Sequence, residues 1–295
     1  EGLSLRLPLM SRKAQIGRAG SAMAMAAALL TAAGPVLAGG SVPFYERSFV
    51  LAAHERCGLF SDELGAALTV STRQARSAAL RAGTETAEVN ATARRAQARA
   101  AEVACNDPEL AMVADRVEMA FDGWRRIPSL SFPGLEQPWL ADRRAYSQET
   151  WALSQTSQTG ASPVRFGQTS VEGEMKVVVS FVGAPRPYAT RVVMRDTGVM
   201  ARPWLGRAGA LPPAPSRRAV MAMSQAPATR MLLAADRRAG EVWTFPASLG
   251  TQLEGLDPRE GFWVEFLFRD GSVARAAFEV GDISAGRAFL QMGPL

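Results

Sequence analysis

FYERSFVLAAHERCGLF, residues 44–60, and AAEVACNDPELAMVADRVEMAFDGWRRI, residues 100–127, hold the chain's only two cysteines, Cys57 and Cys105, within apolar patterns of helical period. Punctuation divides Phe44 to Ile127 into four helices. The first is expected over about Pro43 to Arg56, with Phe49, Ala53, Cys57 and Phe60 on one stripe and Gly58 as its stop. Ser61 caps the second, Asp62 and Glu63 sit in the first turn where the dipole favours anions, and Leu64, Leu68, Ala75 and Ala79 face inward. Gly83 takes the position after the helix end, and Thr84 is expected to cap the third helix. That third stripe, Val89, Ala93, Ala96, Ala100 and Val103, is small, so the helices approach closely but bury little area. Asp107-Pro108 opens the fourth, whose stripe runs through Leu110, Val113, Val117, Phe121, Trp124 and Ile127.

Short joins make successive helices antiparallel, so the first and third run the same way. Cys57 and Cys105 then meet at one pole, within the roughly 7 Å between Cα atoms that a disulfide tolerates. A loop of about 50 residues closed by such a bridge is stabilised by about 3–4 kcal/mol. The expected architecture is α+β: a four-helix bundle over residues 39–127 pinned by one disulfide, a connector over 128–148, and an antiparallel β-sandwich or barrel-like domain over 149–295.

Upstream, residues 10–38 have the three-part form of a secretory signal. Arg12, Lys13 and Arg18 form the positive segment, Ser21 to Thr31 is an apolar run, and Gly34-Pro35 breaks it. Val36-Leu37-Ala38 supplies the small residues before a cleavage point between Ala38 and Gly39, with Met10 as the start this reading implies. The run is too short and too rich in alanine for an anchor, which needs about 20 strongly apolar residues. Export to the periplasm, or secretion, explains why two cysteines would pair rather than remain thiols.

The chain has 295 residues, 47% of them hydrophobic and 21% charged, with a formal net charge of +5. Arg6, Arg12, Lys13 and Arg18 against Glu1 place three of those five charges in residues 1–38, and the remainder is nearly balanced. No basic cluster with interleaved aromatics follows, which argues against nucleic acid as a partner. His54 is the sole histidine and lacks a nucleophile and orienting acid beside it, so a local packing role is expected. With one histidine and two bridged cysteines, neither a zinc site nor a cofactor is expected; no glycine-rich phosphate loop occurs.

Pro128 to Gln148 reads as an irregular connector, with Asp142-Arg143-Arg144 as a solvated patch. Phe132 and Trp139 are the candidate binding surface there; packing across the junction is the competing use of the same rings. From about Glu149 the period changes from 3.6 to 2. Strands are expected at Thr150–Gln155, Pro163–Gln168, Glu174–Val182, Tyr188–Arg195, Arg218–Met223, Arg230–Ala235 and Glu241–Phe245. A Gly- and Pro-rich loop, Gly198 to Ser216, interrupts them, and a helical turn spans Ser248 to Leu256. Phe262, Val264, Phe266 and Phe268 share one face of a hairpin that turns at Asp270-Gly271 and returns over Val273–Val280. Asp282 is expected to cap a last helix, Ile283 to Met292.

Through Trp151-Ala-Leu-Ser154, the paired strands, the small helix before a late hairpin, and Phe278-Glu-Val-Gly-Asp282 leading into a terminal helix, the second half resembles the invasion-associated locus B family of periplasmic domains. The resemblance implies a non-enzymatic envelope protein. The chain departs from the family in having no cysteine after Cys105, so the family's usual disulfides cannot form.

The expected function is non-catalytic binding of an envelope protein or periplasmic ligand, with no transmembrane anchor after cleavage. A hydrolase using Glu241, Glu265 or Glu279 is the alternative, although strand alternation places these carboxylates on solvent faces. A further alternative is Cu(I) handling by Met221 and Met223 on a shared strand face, with Met175, Met194 and Met231 on other strands.

Overall fold

A computed structural model describes residues 41–170, 173–181, 185–206 and 210–295. The expected signal and its cleavage point between Ala38 and Gly39 lie outside the described residues. Among those described, six α-helices and eleven strands in two antiparallel sheets make an α+β fold.

Helix α1 (Ser41–Cys57) ends at Gly58, whose φ of 62° carries the chain through the left-handed region. Ser61 then caps α2 (Asp62–Arg81), its hydroxyl accepting from the Leu64 N–H at 3.4 Å. At the far end Gly83, at φ 94°, donates to Leu80 O, while the Thr84 N–H donates to Ala79 O. This closes the orphan carbonyls of α2, so Thr84 belongs to the end of that helix. The cap of α3 (Thr86–Glu102) is instead Glu85, without a side-chain bond. Asp107 caps α4 (Pro108–Phe121) by accepting from the Glu109 N–H at 2.8 Å. Helix α4 stops at Phe121, and Asp122–Arg126 tightens into a 3-10 turn, so Trp124 and Ile127 do not continue its stripe.

Residues 128–148 are not an irregular connector. They hold a hairpin, β1 (Ser129–Phe132) and β2 (Trp139–Asp142), which enters the larger sheet through pairing of Leu140 with Ser154. Arg143 is not a solvated residue either: its Nε donates to Gly293 O at 2.7 Å and its Nη2 to Met292 O at 3.1 Å. Those bonds fasten the C-terminal residues beneath the hairpin.

The remaining strands are β3 (Trp151–Thr159), β4 (Ser162–Thr169), β5 (Met175–Val179), β6 (Ala189–Arg195), β7 (Arg217–Met221), β8 (Ser224–Pro227), β9 (Glu241–Thr244), β10 (Gly261–Leu267) and β11 (Val273–Glu279). The seven-stranded sheet runs β1-β2-β3-β4-β5-β9-β8 and the four-stranded sheet β11-β10-β6-β7. One sequence reading fails here and one strand went unread. Arg230–Ala235 is a turn rather than a strand, and the exposed strand β8, which edges the larger sheet, had no alternation to reveal it.

The expected apolar face of β10 is buried: Phe262, Val264 and Phe266 are fully enclosed, although Glu265 between the last two is buried as well. They meet the other sheet at Phe166 of β4, whose ring lies 5.2 Å from Phe262, 5.5 Å from Phe278, 6.0 Å from Phe245 and 6.3 Å from Trp139. The same buried cluster continues through α5 (Ser248–Glu254) and α6 (Ile283–Leu290) into Leu64, Leu68 and Val70 of α2. Helical and β halves therefore share one apolar core. Arg73 adds a polar tie from α2, donating to Ser284 O at 2.9 Å.

Candidate functional site

Cys57 and Cys105 are joined as a disulfide with a Cα separation of 5.5 Å, at the matching ends of the parallel helices α1 and α3. His54 is spent locally: its Nδ1 accepts the Phe60 N–H at 3.2 Å and its ring lies 5.2 Å from the Phe60 ring. Phe132 and Trp139 are fully buried. The Trp139 indole donates to the Glu279 and Val280 carbonyls, and Phe132 packs on Phe289. Neither ring presents a face to a ligand; the hairpin that carries them docks them into the core.

The three carboxylates proposed for catalysis are not brought together. Glu265 is only 4% exposed, contrary to the alternation reading, and accepts from Arg191 Nε at 2.7 Å and from Arg275 Nε at 2.8 Å. Burial pushes its pKa up, but the two arginines more than offset that and hold it below the usual carboxylate range. Glu279 accepts the Leu135, Glu136 and Gln137 backbone N–H groups at 2.5, 2.9 and 3.3 Å. Its strand partner, Gly261, is four residues along β10 from Glu265, about 13 Å at the usual strand rise. Glu241 belongs to the other sheet.

The methionines are likewise dispersed. Met175 and Met194 are buried, Met221 ends β7, and Met223 lies at the corner where the chain passes to β8, so Met221 and Met223 do not share one strand. Met231 is in the turn after β8. Among the described residues no three His, Cys, Asp or Glu side chains gather as a metal site.

What the fold does build is a cleft of about 790 Å³ at the end of β5, β9 and β8. Its apolar lining includes Phe181, Pro187 and Pro227, and its charged lining comprises Arg186, Asp236, Arg237, Arg238 and Glu241. That volume lies within the range of small-molecule sites.

The wall formed by residues 236–240 is held from several directions. Leu232 and Leu233 sink beside Trp151 and Val178, and the Trp151 indole donates to Leu232 O at 3.0 Å. Arg230 donates to the carbonyls of Ala234, Ala235 and Arg237. Ser180 donates to Ala239 O at 2.6 Å, and Arg237 Nη2 reaches Ala161 O at 3.3 Å. Gly240 makes the approach feasible, since a Cβ there would fall 2.8 Å from Val179 O.

The ion pairs among the residues that line the cleft are loose. Arg186 Nε is 3.5 Å from Glu241 Oε1, and Arg237 Nε is 3.4 Å from Asp236 Oδ2 without hydrogen-bond geometry. Glu241 Oε2 and Arg237 Nε are both shielded from solvent and lack a hydrogen-bond partner among the described residues.

Sequence reasoning picked out Glu241 but missed its companions. The available signal was the run Asp236-Arg237-Arg238 before Gly240, immediately ahead of a strand. A second concavity of about 550 Å³ lies beside Leu135, Gln155 and Glu279, where the Glu279 carboxylate is already enclosed by backbone donors. Comparison of the chain with protein-family models, with curated proteins and with solved structures gave no match.

Proposed function

We propose that the chain is exported to the periplasm and acts there as a non-catalytic binding protein whose site is the cleft beside β5, β9 and β8. One observation carries this reading: a cleft of about 790 Å³ that sets Arg186, Arg237, Arg238, Asp236 and Glu241 beside an apolar wall of Phe181, Pro187 and Pro227. Export is supported by the signal-like pattern of residues 10–38 and by the Cys57–Cys105 bridge, a bond typical of oxidising compartments. No helix among the described residues is long and apolar enough to cross a membrane. In this reading α1–α4 form a four-helix bundle pinned by the disulfide, and the strands form a sandwich that presents the cleft, in keeping with the envelope role that the family resemblance implies. The partner is a periplasmic ligand or an envelope protein rather than nucleic acid.

The test is thermal unfolding of the full chain with and without the low-molecular-weight fraction of a periplasmic extract. A ligand that binds only the folded state raises the Tm. A rise in the wild type that disappears in an Arg237→Gln, Arg238→Gln double variant is expected. No rise, or an equal rise in both proteins, overturns the assignment to the cleft. N-terminal sequencing of the periplasmic protein should begin at Gly39; a cytosolic product retaining residues 10–38 would overturn export.

A further inference from the structure

We propose that the outer face of the four-stranded sheet docks a protein partner presenting acidic side chains, at a surface separate from the cleft and independent of it. Register decides which residues share that face. Trp263 stands opposite Ala277 and Val193, Val193 opposite Ala219, and Glu265 opposite Arg275 and Arg191. The even positions Phe262, Val264 and Phe266 enter the core, so the odd positions of β6, β7, β10 and β11 point away from it. On that side Ala219, Met221, Arg275 and Ala277 are exposed.

Charge on this face is organised around Trp263. The Arg275 guanidinium lies 5.1 Å from its ring and that of Arg217 lies 6.0 Å away, reaching it from β11 and β7, the two outermost strands. Arg275 Nε donates to Glu265 Oε1 at 2.8 Å and Arg191 Nε to Glu265 Oε2 at 2.7 Å. Two guanidiniums thus share one carboxylate, and Arg217, bonded through Nε to Pro212 O, adds a third positive charge. At the far end of the sheet the remaining charges are already engaged. Arg195 closes on Glu260, and Glu279 is enclosed by backbone N–H groups. The open charge beside the indole is therefore positive.

Each guanidinium has five N–H donors and no acceptor, and its fork matches a carboxylate. Glu265 holds Arg191 and Arg275 in place while their side chains stay 37% and 54% exposed. Held this way, they lose less freedom on donating to a second carboxylate. Tryptophan and arginine are the residues that most often carry the energy of a protein interface. The small side chains of Ala219 and Ala277 leave room on either side of the indole. Strand spacing and rise make the face roughly 15 Å by 20 Å. That is less than the roughly 800 Å² per partner of a standard interface, so a weak, reversible contact is expected.

The test is fluorescence anisotropy of dye-labelled hexaglutamate and hexalysine titrated with the full chain. Hexaglutamate is expected to bind, more weakly as salt shortens the screening length to about 8 Å, and hexalysine is not. An Arg217→Gln, Arg275→Gln double variant should lose about tenfold or more in affinity, and so should Trp263→Ala. Near-ultraviolet circular dichroism confirms that each variant is folded. Arg217→Gln alone, at an outermost strand, serves if the double variant does not fold, with a loss of about threefold expected. A merely structural role for these side chains would change the urea midpoint and leave affinity as in wild type, which overturns the proposal. So does loss of binding in the Arg237→Gln, Arg238→Gln variant instead, which would move the site to the cleft. Failure of hexaglutamate to bind overturns it as well. In that case, capture of the chain by phosphatidylglycerol vesicles would assign the face to a membrane, and a dimer in sedimentation would assign it to a second copy.

Discussion

Arg81, in the last turn of α2, closes its guanidinium on the Asp282 carboxylate at the start of α6, with Nη2 at 3.3 Å from Oδ2. The carboxylate side chain is 1% exposed, and the two residues are 201 positions apart. The pair joins the helical half to the β half at a point where both pack apolar side chains.

Burial holds the Asp282 pKa above its ordinary value, and the Arg81 contact works against that rise. Removing Arg81 leaves a buried carboxylate without its partner, so Arg81→Met should cost about 3 kcal/mol at pH 7. A carboxylate whose folded pKa is raised contributes most below its unfolded pKa, and that contribution is lost as pH rises through the folded value. The gap between Arg81→Met and wild type in urea unfolding should therefore widen from pH 4 to pH 7. A gap independent of pH would show that the pair is not the cause.

Glu265 provides the opposite case. Its folded pKa lies below the ordinary value despite burial, because Arg275 and Arg191 outweigh the burial effect. Its contribution is present above the unfolded pKa and is lost as pH falls through the folded one. Glu265→Gln should cost about 2 kcal/mol at pH 7 and progressively less toward pH 3. Denaturant titrations of the variant and wild type at both pH values measure the convergence.

Reduction of the Cys57–Cys105 bridge frees a loop with a sequence separation of 48. The chain-entropy relation puts the loss at about 4 kcal/mol. Cys57→Ala, Cys105→Ala should show the same loss in chemical denaturation with or without reductant, whereas wild type should lose stability only when reduced.

Phe166 touches four aromatic rings contributed by both sheets and is fully buried. Phe166→Ala should cost about 3–5 kcal/mol, read from the midpoint of urea unfolding. The neighbouring Gly167 is equally constrained: a Cβ would fall 1.9 Å from Leu153 O, so Gly167→Ala should displace β3 from β4 and cost about 2 kcal/mol or more. A variant at either position with wild-type stability would show that the sheets tolerate repacking there.

Several elements were legible because their causes lie within a few residues of one another. The Ser61 cap, the Gly83 turn, Asp107-Pro108, the alternation from Phe262 to Phe268 and the Asp270-Gly271 turn all answer local backbone needs. The disulfide followed from helix direction alone. The candidate cleft was much less visible: Glu241 drew notice as a carboxylate and Arg237 stands in the charged run Asp236-Arg237-Arg238, but Arg186 and Gln225 have nothing in their immediate neighbours to single them out.

Residue order by itself determined where α2 and α4 begin, which face of the late hairpin is apolar, and which cysteines can meet. Tertiary contact alone decided that Phe132 and Trp139 are core residues, that Arg143 is buried, that Glu265 sits between two arginines, and that Arg230–Ala235 turns. The physical reason is range. Caps, turns and periodicity are satisfied within one or two helical turns, whereas burial of a charge or docking of a hairpin is settled by groups distant in the chain, as Asp282 is from Arg81.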